Sequence, residues 1–87
     1  MINIITINCN GLREPVKIDY LNTVLLKKKV DICLVQETHL DSFRLCNFVQ
    51  HKVQAKCYRS LTENPRSKGV GIIVKNPNIV VTHFNFD

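Results

Sequence analysis

The chain has 87 residues, enough for one small domain or a piece of a larger one. Hydrophobic residues make up 45% and charged residues 22%, which excludes the composition of a disordered chain, and no apolar stretch approaches the length of a membrane-spanning helix. Twelve Lys and Arg against seven Asp and Glu give a net charge of +5, a balance that favours polyanionic partners, because neutralising phosphates releases counterions.

Ile2 to Ile7 is β-branched nearly throughout and reads as a strand. Its apolar residues fall on both faces, which predicts a central place in a sheet. The stretch NCNGLR, Asn8 to Arg13, breaks it at Asn10-Gly11, a strong turn pair. Pro15 suits the first turn of a helix, and Ile18, Leu21, Val24 and Leu25 follow at helical spacing to an end near Lys29 or Val30. Lys27, Lys28 and Lys29 read as a solvated last turn whose charge suits the helix dipole, with a polyanion patch as the alternative. Ile32 to Val35 is a second apolar strand.

Strand, helix and strand make a crossover unit, which sets the two strands parallel. Their carboxyl ends then share one edge of the sheet. Asn8 ends the first and Glu37 the second, so the two are predicted neighbours, at the edge where open α/β sheets bind ligands. Further along, Phe43 to Gln54 reads as irregular, with a short helical turn at most. Ala55 to Ser60 reads as a short strand and Leu61 to Gly69 as a polar loop. Val70 to Val74 is another strand, Asn76-Pro77-Asn78 a tight turn, and Ile79 to Phe84 the expected hairpin partner.

The four cysteines, Cys9, Cys33, Cys46 and Cys57, form no C-x-x-C pair. With no signal peptide before the first strand, they read as reduced thiols of a nuclear or cytoplasmic, not secreted, protein. Cys9 and Cys33 read as core filler. His39, Cys46, His51 and Cys57 have a spacing that fits no common zinc module.

The blocks INCNGLR, DICLVQETHLD and SKGVGIIV stand in this order and cover almost the whole chain. Together they resemble the opening of the endonuclease/exonuclease/phosphatase family. QETHL and Asn10 are most similar to the endonuclease domain of LINE-type retrotransposons; the apurinic repair branch more often has Asp at the position of Asn10 and Lys at that of His39. The resemblance implies the incomplete N-terminal portion of a four-layer α/β sandwich, with residues 1–87 a partial domain truncated at its C-terminus. It implies Mg²⁺, or alternatively Mn²⁺, and no other small-molecule cofactor. DNA is the implied partner, nicked by phosphodiester hydrolysis, with no membrane partner. Glu37 matches the metal-ligand glutamate, and Asn8 the asparagine beside the metal and scissile phosphate. Gln36, His39 and Asn10 fall where they would position that pocket, and Arg66 and Lys68 where they would touch a nucleic-acid backbone.

Each of these residues also has a plainer role. Asn8 starts an Asx turn into Gly11, Asn10 serves the turn itself, and Glu37 is a surface acid. His39 is a structural hydrogen-bonder, and Arg66 and Lys68 decorate a solvated loop. Gly69 and Gly71 relieve packing at a strand. The family's later Asn-x-Asp strand end, its later metal-site Asp and its C-terminal Asp-His pair do not occur in the chain. The chain by itself is therefore expected to be inactive. The alternatives are a repair nuclease or phosphatase-type member of the same family, a non-catalytic nucleic-acid-binding remnant and a translated relic.

Overall fold

Alternation sets the first strand. In the computed structural model, which describes residues 1–12, 14–38, 43–59 and 69–82 (side chains of 43–46 and 59 excepted), β1 (Ile4–Asn8) half-buries Ile5 and Ile7 and exposes Ile4, Thr6 and Asn8. The remaining elements are α1 (Pro15–Lys27), β2 (Ile32–Gln36), α2 (Phe43–Val53), β3 (Lys56–Arg59) and β4 (Val70–Val74).

Local chemistry explains both ends of α1. Glu14 is extended and Pro15 opens the helix, where a missing N–H costs nothing. The Glu14 carbonyl accepts from the Lys17 and Ile18 amides at 3.1 and 3.3 Å. At the other end, the Val30 amide reaches the Leu25 carbonyl (2.9 Å) and the Lys29 amide the Leu26 carbonyl (3.2 Å). Lys29 adopts φ 51. This is a Schellman closure, and Leu25 and Val30 supply its usual apolar contact, both buried. Lys27, Lys28 and Lys29 are exposed on this terminus, as a solvated last turn should be.

The sheet has the order β1-β2-β4-β3. β1 and β2 are parallel, in the register Ile4 with Ile32 through Asn8 with Gln36. β4 is antiparallel to β2 on one side and to β3 on the other. Period-two alternation assigns Ile5, Ile7, Cys33, Val35, Gly71 and Ile73 to one face. That face packs on Ile18, Leu21 and Leu25 of α1 and Val49 and Val53 of α2 to make the core. The described residues thus form two layers, helices on one face of a mixed α/β sheet. The opposite face carries Ile4, Leu34 and Val70, which are 58%, 41% and 40% exposed.

Asp31 pins the edge opposite the carboxyl ends of β1 and β2. Its carboxylate accepts the Asn3 amide at 2.7 Å and the Asn76 side-chain amide at 3.0 Å. Its carbonyl accepts from the Lys75 and Asn76 amides at 2.8 and 3.3 Å.

Three expectations change. β1 lies at the edge of the sheet among the described residues, not at its centre. The apolar residues on its outer face belong to the open side of the sheet. Phe43–Val53 is a helix of three turns, not an irregular stretch. Residues 79–82 form no strand; β4 has β2 and β3 on its two edges, so no edge remains for a following hairpin arm. Residues 83 and 84 of that expected arm lie outside the described ones.

Candidate functional site

The crossover brings the ends of β1 and β2 together, and the loop after β1 stays paired with the residues after β2. The Cys9 amide donates to the Gln36 carbonyl (3.0 Å), Gly11 to Glu37 (2.6 Å) and Leu12 to Thr38 (2.8 Å). From the other side, the Thr38 amide donates to the Gly69 carbonyl at 3.0 Å. Glu37 is therefore fastened through main-chain bonds to Gly11 and, one residue on, to Gly69. It sits at φ 53, a left-handed conformation that a glutamate adopts only where its surroundings over-determine it. Gly11 and Gly69 themselves have φ 97 and 112, so the two backbones that grip this corner take turns open to glycine.

Into this corner the Asn8 side-chain amide donates to Glu37 Oε2. The Asn10 amide donates to Asn8 Oδ1 at 3.1 Å. The two bonds fix which way the Asn8 amide faces, because its oxygen must meet the main-chain N–H and its nitrogen the carboxylate. Asn8 thus closes an Asx turn and also touches Glu37. Among the described residues Glu37 Oε1 takes no hydrogen bond, and Glu37 is only half-buried.

The other expected residues divide in two. Asn10 takes part through its main chain, at φ 46, and its carbonyl accepts the Lys17 ammonium at 2.7 Å. Gln36 is exposed, and its carbonyl accepts both the Cys9 amide and, at 3.1 Å, the Cys9 thiol. His39, Arg66 and Lys68 lie outside the described residues. Lys17 and Thr38 belong to the corner without having been picked out by motif. Thr38 is 1% exposed beneath Glu37. Lys17 carried one signal: a cation in the first turn of a helix opposes the dipole, which invites the question of what holds it there.

Burial raises the Cys9 thiol above its usual range. Main-chain hydrogen bonding at Gly11 and the Lys17 charge oppose the rise, and the Glu37 charge adds to it. A groove of about 460 Å³ runs from Asn8 and Asn10 along β1 to Val16, Tyr20 and Val24 of α1. Its walls are mostly apolar, and its polar end is this corner.

Among the described residues no three His, Cys, Asp or Glu side chains gather. Among the described residues the corner offers one carboxylate with a spare oxygen and one amide oxygen with a spare lone pair. That donor set fits a hard divalent ion such as Mg²⁺, which commonly takes one or two protein carboxylates and keeps its waters.

The sequence model of the Endonuclease/Exonuclease/phosphatase family matches residues 5–86. That span begins in β1 and includes the crossover, the Asn8–Glu37 corner and β4. With nearly the whole chain matched and the paired residues meeting at the strand ends, the chain belongs to the endonuclease/exonuclease/phosphatase family.

Proposed function

We propose that this chain carries the metal-binding corner of a phosphodiesterase domain that nicks DNA, of the kind found in LINE-type retrotransposons. Membership of the family brings a nuclease- or phosphatase-type function. The observation that carries the finer reading is the Asn8–Glu37 contact, held on a left-handed glutamate between two glycine turns. Glu37 would hold Mg²⁺, or Mn²⁺, through Oε1, while Asn8 keeps Oε2 in place and offers its remaining lone pair to a metal-bound water or a phosphate. When bound, the ion supplies charge stabilisation to a phosphoryl oxygen and the leaving oxygen. Gln36 closes the strand before Glu37, and His39 follows two residues later in the sequence as a second candidate to position the pocket. QETHL and Asn10 favour the retrotransposon branch over the repair branch. The open apolar face with Ile4, Leu34 and Val70 suits the first half of a domain with a second sheet. The residues that would activate water in such a domain do not occur in the chain, so the corner alone is expected not to turn over.

Binding tests the corner directly. Addition of Mn²⁺ to the chain should broaden the NMR signals of Asn8 and Glu37 first, and Glu37→Gln should weaken binding by about tenfold or more, the usual cost of losing a metal-site contact. Broadening that ignores Glu37→Gln would overturn the reading. A second reading rests on the charge of +5: a nucleic-acid-binding remnant, whose DNA affinity falls with salt and is indifferent to both Mg²⁺ and Glu37→Gln.

A further inference from the structure

We infer that Lys17 is a positioning residue for the Glu37 corner: its ammonium holds the Asn10 turn that aims the Asn8 amide at the carboxylate. The inference rests on the reading of Glu37 as a metal ligand. Three bonds run in series. Lys17 Nζ donates to the Asn10 carbonyl at 2.7 Å. The Asn10 amide donates to Asn8 Oδ1 at 3.1 Å. The Asn8 amide nitrogen donates to Glu37 Oε2. The middle link depends on Asn10 staying at φ 46, a left-handed conformation that asparagine tolerates and that the Lys17 bond to its carbonyl secures. If that turn relaxed, the Asn10 N–H would leave Asn8 Oδ1, and the Asn8 amide would be held by its bond to Glu37 alone, free to swing about that contact.

The placement of Lys17 supports the same conclusion. It is the third residue of α1, in a first turn with no acidic residue, where a cation opposes the dipole. Its stem lines the groove beside Val16 and Tyr20, and its head turns back across the turn to Asn10. A surface lysine free to choose would extend into water. This one spans the start of the helix and the end of β1, so the helix orients the turn.

The test separates the ammonium from the stem. Lys17→Met keeps the apolar stem and removes the donor. In the chain, Lys17→Met should shift the Asn8 side-chain amide signals toward those of a free asparagine. It should also raise the Mn²⁺ dissociation constant about tenfold, in the range of outer-sphere partners of a metal site. Lys17→Arg should restore both. Asn10→Gly, which removes the small left-handed cost that asparagine still pays, should recover part of the affinity in the Lys17→Met chain. Lys27→Met, at the far end of α1, should change neither. If Lys17→Met tightens Mn²⁺ binding, Lys17 is a competing charge and the inference fails. It fails likewise if a folded Lys17→Met chain keeps its Asn8 signals and affinity while Glu37→Gln abolishes binding, and in that case the metal corner stands. Should Lys17→Met not fold, the double variant with Asn10→Gly and the Lys17→Arg chain carry the comparison; lost affinity in a folded Lys17→Arg chain overturns it. Binding that survives Glu37→Gln removes the metal reading itself, and this inference with it.

Discussion

At the scale of single residues, the Asn8–Glu37 corner is built on left-handed backbone. Glu37 and Asn10 are both left-handed non-glycine residues, each next to a glycine or a glycine contact in the corner. Such a conformation costs a glutamate on the order of 1 kcal/mol and an asparagine less. It is kept at Glu37 because the Gly11 amide and the Thr38–Gly69 bond hold the peptide on both sides. Cys33 is the opposite case, a titratable group spent on packing. It is fully buried, and burial pushes its thiol up to about 11 from 9.0, with Cys9 adding to the rise. Folding therefore favours the protonated thiol. Below pH 9 both states hold the proton and the contribution is complete; between pH 9 and about 11 the unfolded chain ionises first and stability falls. Urea midpoints should drop across that window by up to about 2–3 kcal/mol in stability, and Cys33→Ala should flatten the fall. An equal fall in the variant would assign it to other groups.

At the scale of elements, α1 shows which features can be read from sequence. Pro15, the spacing of Ile18, Leu21 and Leu25, and the lysines at its end all point to the helix that forms. The neighbourhood of Asn8 and Glu37 was legible too, because a parallel crossover puts both strand ends on one edge whatever the side chains do. Helix α2 was not legible. Its apolar residues include Phe48, which is 39% exposed, while Val49 and Val53 alone of its described side chains are buried in the core. Exposed and buried apolar residues look alike in a string. The partner of β4 was misread for a different reason. A tight turn at Asn76 suggested a local hairpin, but the Lys75 and Asn76 amides bond to the Asp31 carbonyl, and β4 was already flanked by β2 and β3. Competition for a strand edge is a property of the whole sheet and is not written locally. Lys17 was passed over because its partner is a carbonyl, which sequence does not display. One element carries an improvable position. Lys29 holds the left-handed place in the Schellman closure of α1, where glycine is preferred. Lys29→Gly should raise stability by about 0.5–1 kcal/mol, read as a higher urea midpoint with unchanged slope. A loss would mean that the lysine stem packs in a way the backbone argument omits.

At the scale of the whole molecule, one face of the sheet is a core and the other is open. Leu34 lies at the middle of that open face, between Thr6 on β1 and Ile72 on β4. Exposed contiguous apolar surface on a sheet promotes association. Sedimentation of the chain should therefore show concentration-dependent self-association, and Leu34→Lys should reduce it without changing the thermal midpoint. Association unchanged by Leu34→Lys would point to the outer edge of β1 instead, since the Asn3 carbonyl and Cys9 amide turn toward β2 and the intervening Ile4, Thr6 and Asn8 main-chain groups alternate away from it. The order of the strands has a consequence in time. β2 takes β1 on one side from residues already made, but its other partner, β4, leaves the ribosome roughly thirty residues later, a delay on the order of seconds at ordinary rates of synthesis. During that interval the strand that carries Glu37 has a bare edge, and Gly69, which receives the Thr38 amide, does not yet exist. The nascent chain must wait, with the Asn8–Glu37 corner half built, for a strand from beyond the second helix.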